Sequence, residues 1–316
     1  MPLDRRAFLA GLTAALPGPE RARAATVTDS SGRSLPVPAP VARVFPAGPP
    51  AAILIYTLAP DLLLGWPRAN TPQECAFMLA DICARPEVGR ITGRGNTASL
   101  ESVLALRPDL IVDVGATAET FVSLAARVQE QTGIPYALLD GRFTALATTY
   151  RKLGELVGRS AAAEELSDYA RGPRGLVTAL GGSINVETIE LIARNVAGGT
   201  RGGLANVSLE QVLLWNPDVI VTIDAEFAAA VRSDPAWAGV KAVRDNNVHL
   251  SPQLPFGWVD FPPGPNRLIG LWWLARLLYP QRFPEDLRTR TREFYARFYH
   301  VTPSDAQIEQ VLAGRG

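Results

Sequence analysis

The sequence predicts an α/β protein built as two Rossmann-like lobes with mostly parallel sheets, and three observations carry that prediction. Short apolar runs bounded by Pro, Gly or Asp alternate with segments of helical periodicity. A fourteen-residue unit occurs twice, at an offset of 109 residues. The length of 316 residues suits two domains, and 47% hydrophobic residues give each enough apolar content for a core.

Residues 1–24 read as an address rather than as part of the fold. Arg5-Arg6 precede Ala7, Phe8, Leu9 and an apolar stretch to Leu16, which Pro17, Gly18 and Pro19 break; Ala22-Arg23-Ala24 then suits a signal peptidase. The segment resembles a twin-arginine export signal. No cysteine lies near that cleavage point to carry a lipid, so the expected mature chain is soluble and outside the cytoplasm, with a periplasm fitting best. No apolar run approaches the roughly 20 residues that a membrane-spanning helix needs.

Runs 41–45, 62–64, 110–114, 136–139, 219–223 and 248–250 read as buried strands. Leu146, Tyr150, Leu153 and Val157, spaced four, three and four apart, share one helix face. The repeated unit is Ser99-Leu-Glu-Ser-Val-Leu-Ala-Leu-Arg-Pro-Asp-Leu-Ile-Val, which recurs as Ser208-Leu-Glu-Gln-Val-Leu-Leu-Trp-Asn-Pro-Asp-Val-Ile-Val with nine positions identical. In each copy serine can cap a short helix whose first turn holds a glutamate, and Pro-Asp stops that helix before a strand. The expected organisation is an N-terminal lobe over 25–142, a helical connector over 143–171 and a C-terminal lobe over 172–316. Lobes of this kind face each other across a cleft at the C-terminal ends of their strands, the default place for a ligand.

Composition removes several functions. With 31 basic and 31 acidic residues the formal net charge is zero, which argues against nucleic acid as a partner. Two histidines, His249 and His300, and two cysteines, Cys75 and Cys83, cannot build a zinc site in the usual ways. The cysteines lie eight apart, about 12 Å of rise on one continuous helix, too far for a disulfide unless the segment folds back, so two buried free thiols are the default expectation. There is no cysteine set for a metal cluster and no catalytic Ser-His-Asp signature, and the glycine run at 199–203 lacks a P-loop ending. Neither an enzyme nor a resident cofactor is expected.

Taken together, the segments 27–33, 93–101, 169–172 and 257–270 and the two Pro-Asp-strand units resemble the periplasmic solute-binding proteins of ABC importers for iron-siderophore, haem and cobalamin uptake. Their lobes are joined by one long helix. The resemblance implies a monomer that binds a small molecule and delivers it to a permease dimer with its ATPase. It places docking glutamates at Glu101 and Glu210, where two charges on a rigid body would orient it on a two-fold partner. It places ligand contacts at Pro46, Arg94, Asn96, Gly115, Arg171, Arg201, Asp224, Trp258 and Arg267. The arginines could offer guanidinium forks to an anion; Trp258 suits either a flat chelate or the core, and Asn266 and Arg267 either a ligand or the start of a helix. The segment before 169–172 is shorter than is usual in that family, so a truncated connector is expected.

Without a histidine cluster, bare zinc or manganese is a poor ligand. A ferric siderophore is the leading expectation from the resemblance; molybdate or tungstate is the competitor, because Arg, Asn and glycine-loop amides suit a small tetrahedral anion, and haem or a corrinoid follows.

Overall fold

The computed structural model describes residues 25–93, 95–170, 187–196, 207–259 and 262–314. The segment 1–24 read as an export signal, the expected start of the C-terminal lobe and the 199–203 glycine run lie outside the described residues. The description opens with an antiparallel hairpin, β1 (Ala25–Thr28) and β2 (Ser34–Val37), which the strand reading did not include. Asp29 fixes its turn by accepting hydrogen bonds from the Ser31 amide at 2.9 Å and the Arg33 guanidinium at 2.8 Å. It also accepts one from the amide of Leu138 in the neighbouring sheet at 3.2 Å. Burial opposes its charge, but these bonds outweigh burial and hold its pKa below the ordinary value.

The first sheet is parallel, in the order β3 (Val44–Pro46), β4 (Leu110–Gly115), β5 (Tyr136–Asp140), with Val44 opposite Leu110 and Ile111 opposite Tyr136. After β3 comes α1 (Pro49–Leu58), whose residues from Ala51 to Leu58 are all buried, as befits a helix enclosed by core on every side. The run 62–64 is not a strand. Pro60 starts a 3-10 turn through Leu62, and only Leu63 bridges to Val44. Two short helices, α2 (Pro72–Cys75) and α3 (Ala80–Cys83), precede α4 (Leu100–Ala105) of the first repeat unit. Helix α5 (Glu119–Thr132) ends on Gly133 in the left-handed region and leads into β5.

The connector, expected as one helix, is two. Helix α6 (Leu146–Val157) buries Leu146, Tyr150, Leu153 and Val157 as their spacing requires, then ends at Gly158, whose φ of 69° lets the chain reverse. Helix α7 (Ser160–Ala170) turns back against it. The two approach so closely that a Cβ at Gly154 would collide with the Ala163 methyl.

In the second lobe α8 (Glu187–Glu190) and α9 (Leu209–Trp215) are followed by β6 (Ile220–Thr222), α10 (Ala225–Ala230), α11 (Lys241–Arg244) and β7 (Val248–Leu250), with β6 and β7 parallel. The sequence repeat is a structural repeat. Ser99 and Ser208 both cap, accepting from the amides of Ser102 at 3.1 Å and Gln211 at 3.3 Å. At equivalent positions before Pro-Asp, Arg107 and Asn216 both hold a positive φ, 46° and 42°.

The chain finishes with α12 (Asn266–Leu278), α13 (Leu287–Phe294), a π-helical turn over Tyr295–Tyr299, and α14 (Asp305–Leu312). These elements do not keep to a separate C-terminal core. One continuous apolar cluster joins α1 and α6 to residues 254–259, α12 and the π turn. Phe294 stacks on Phe298 with ring centroids 4.5 Å apart, and the Tyr56 hydroxyl on α1 donates to the Tyr299 carbonyl at 2.6 Å. Among the described residues no helix is long and apolar enough to cross a membrane.

Candidate ligand-binding cleft

Helix α1 starts three residues after β3, so its N-terminus stands at the C-terminal edge of the first sheet. There the described residues enclose a cleft of about 320 Å³. One side is the start of α1, at Pro49, Ala52 and Ile53; a second is the stretch 66–74 together with Arg90; the third is 253–257 and Pro262, which lead into α12. The cleft therefore lies between first-lobe elements and the approach to the C-terminal helices. Its polar lining is Arg68, Asn70, Glu74, Arg90 and Gln253.

Glu74 organises the second side. It forms a capping box, its amide donating to Thr71 Oγ1 at 3.2 Å and its Oε2 accepting from the Thr71 amide at 2.7 Å. Arg68 grips the same carboxylate with two nitrogens, at 2.5 and 3.0 Å. Burial opposes the charge on Glu74, but the Arg68 and Thr71 bonds outweigh burial and hold its pKa below the ordinary value. Arg68 is thus largely neutralised.

Arg90 is disposed differently. Its Nε donates to the Gly95 carbonyl at 2.8 Å, while its own amide donates to Thr97 Oγ1 at 3.1 Å. These bonds close a loop in which Gly93 and Gly95 take φ of 96° and 71°, conformations that need glycine. Among the described residues the two terminal amino groups of Arg90 have no protein partner, so its charge is available to an anion in the cleft. The loop is tied to the sheet behind it: Thr92 Oγ1 donates to Asp113 at 3.0 Å, and the Tyr136 hydroxyl donates to the same carboxylate at 3.1 Å. Burial raises the pKa of Asp113 by more than these bonds lower it.

The expectation of free thiols is corrected. Cys75 and Cys83 form a disulfide with Cα atoms 5.5 Å apart. The premise of one continuous helix fails because α2 stops after Cys75 and α3 begins only at Ala80. Between them Leu79 leaves the helical region, with φ −59° and ψ 123°, and its amide donates to the Tyr56 hydroxyl at 3.0 Å instead of to a helical carbonyl.

None of the described sequence-predicted ligand residues lines this cleft, although Gly257 and Pro262 belong to the segment 257–270 that carried the resemblance. Pro46 is buried within β3. Asn96 is exposed on the Arg90 loop, and Gly115 ends β4 with open space where a Cβ would stand. Asp224 caps α10 by accepting from the Phe227 amide at 3.0 Å. Trp258 is fully buried, and the α12 backbone presses so close that a Cβ at Gly270 would overlap its carbonyl. Arg267 is fully buried as well: it pairs with Glu187 at 3.1 Å, donates to the Gly141 carbonyl at 3.0 Å and lies over the Phe143 ring at 5.4 Å. Both side chains are spent inside the protein, which fits the core and helix-start alternatives for them. Arg94, Arg171 and Arg201 lie outside the described residues. Glu101 and Glu210 are exposed in the first turns of α4 and α9.

The sequence reading missed Arg68, Asn70, Glu74, Arg90 and Gln253. The spacing Thr71-x-x-Glu74 was a usable sign of a chain break and cap there. Nothing comparable marks Gln253.

A parallel α/β architecture with a cleft at the strand ends, and a duplicated unit in each half, is the fold of the solute-binding proteins of ABC transporters, and the solved structures similar to this chain are such proteins. An ABC transporter solute-binding protein from Sulfurospirillum deleyianum is 25% identical with a TM-score of 0.74, covering 90% of this chain and 98% of that one. The molybdate-bound MolA of Haemophilus influenzae is 21% identical with a TM-score of 0.71, covering 89% of this chain and 99% of that one. In sequence, MolA is 38% identical over 113 residues, 35% of this chain and 32% of that protein. A Bacillus subtilis ABC transporter substrate-binding lipoprotein, YvrC, is 30% identical over 100 residues, 31% of this chain and 30% of that protein. The chain thus spans about a third of the length of the curated relatives it matches. These relatives are solute-binding proteins rather than enzymes. No family model matches the chain.

Proposed function

We propose that this protein is the periplasmic substrate-binding component of an ABC importer and that its ligand is a small oxyanion of the molybdate or tungstate kind. The observation that carries this reading is the chemistry of the cleft. Its volume, about 320 Å³, is at the small end for ligand sites, and it holds a guanidinium, Arg90, that no described residue neutralises. A four-oxygen dianion fits within such a space with room for bound water and uses such a donor; a ferric siderophore, the leading expectation from the sequence, is a far bulkier chelate. The similarity to MolA supports the same choice.

Binding is capture without chemistry. Arg90 supplies charge, and Gln253 and Asn70 supply amide groups from opposite walls. The loaded protein would then present Glu101 and Glu210 to the permease. Calorimetric titration with molybdate, tungstate, sulfate and a ferric hydroxamate tests the reading. Saturable one-to-one binding of molybdate or tungstate supports it, and binding of the ferric chelate alone overturns it.

A further inference from the structure

We infer that the Cys75–Cys83 disulfide assembles the anion site, so that the oxidised chain binds its ligand and the reduced chain binds it weakly. This inference rests on the proposed oxyanion cleft. Three polar residues of one cleft wall are tied to the cross-link. Glu74 adjoins Cys75 and holds Arg68. Asn70 donates to the Cys83 carbonyl at 3.4 Å. At the edge of the wall, Trp66 Nε1 donates to the carbonyl of Ile82, next to Cys83, at 2.8 Å.

Regular structure does little to hold this wall. Helices α2 and α3 are single turns of four residues each, too short to persist without tertiary support. The disulfide is the covalent tie that fixes one turn to the other. Without it the capping box at Thr71 and the Arg68–Glu74 pair remain on one strand of the loop, while the anchors of Asn70 and Trp66 at residues 82–83 are free to shift. Loss of that register would move the polar side of the cleft wall over Phe77, Met78 and Ile82, which pack in the same core cluster as the sheet and α1.

The redox step needs a disulfide oxidant of the protein or glutathione class. Cys75 is the more accessible sulfur and Cys83 is buried. The Cys75 thiolate attacks the oxidant RS–SR, forming a mixed disulfide and releasing one RS⁻; the Cys83 thiolate then displaces the second RS⁻. Two thiols lose two protons and two electrons, and the oxidant becomes two thiols. An oxidising extracytoplasmic compartment favours this direction.

The test compares oxidised protein, protein reduced with a phosphine, and the double variant Cys75→Ser/Cys83→Ser, using sodium molybdate as probe and amide hydrogen exchange as a ligand-free readout. The expected result is molybdate affinity at least tenfold lower in both forms that lack the disulfide, with faster exchange confined to residues 66–90. Equal affinity in all three forms overturns the inference, as does faster exchange throughout the first sheet, which marks a general stabiliser instead. Should the oxidised protein fail to bind molybdate, the oxyanion reading fails by itself. Exchange then decides the structural part: a localised increase on reduction supports it, and unchanged exchange at 66–90 overturns it.

Discussion

Arg90 and Arg267 show why residue type alone could not rank the arginines of this chain. Both carry the same fork of donors, yet Arg267 is enclosed by Glu187, Gly141 and Phe143 while, among the described residues, the Arg90 guanidinium is held through Nε alone. Which guanidinium is already engaged is a property of the packed chain, and no spacing in the sequence encodes it. Replacing Arg90 by alanine is expected to weaken molybdate binding tenfold or more, about 1.5–3 kcal/mol for a charged hydrogen bond, in a calorimetric titration. Glu74 gives a second residue-scale expectation. Its folded pKa lies below its unfolded value of 4.5, so its contribution to stability is complete above that pH and is lost as pH falls through the folded value. Urea unfolding between pH 6 and pH 3 should show stability falling with acid, and Glu74→Gln should flatten that fall; an unchanged slope in the variant would refute this assignment.

Elements were legible where their signals were local and strong. The repeat unit, its serine caps, the helix face of Leu146 to Val157 and most strands of the parallel sheets are as read. What failed was length and continuity. Gly158 could be tolerated inside a helix, and only the close seat of Ala163 against Gly154 shows that the chain reverses there. In the same way the 72–83 stretch has helical composition, but its ends are pulled together by a disulfide and by the Tyr56 hydroxyl. The hairpin makes a sharp expectation: Gly154→Ala introduces a methyl into a filled contact and should destabilise the protein by about 1–3 kcal/mol in urea unfolding. A neutral result would mean that α6 and α7 are separated in solution.

At the scale of the molecule, the C-terminal helices pack into the core of the first lobe, so the cleft is bounded by parts of the chain far apart in sequence: 49–53, 66–90 and 253–262. A sequence reading that assigns each lobe a contiguous segment does not yield this lining. The two glutamates are on this scale as well. Because Glu101 and Glu210 are exposed at equivalent points of a duplicated unit, the variant Glu101→Ala/Glu210→Ala should keep its ligand affinity while losing stimulation of the importer's ATPase in reconstituted vesicles. Loss of ligand affinity in that variant would instead make the pair part of the binding site.

The central proposal, a compact anion cleft centred on Arg90, is tested most directly by titrating the purified oxidised protein and its Arg90→Ala variant with molybdate in a calorimeter. One-to-one binding by the native chain, reduced tenfold or more in the variant, is the expected result. A native chain silent toward molybdate and tungstate that takes up a ferric chelate stoichiometrically would contradict it.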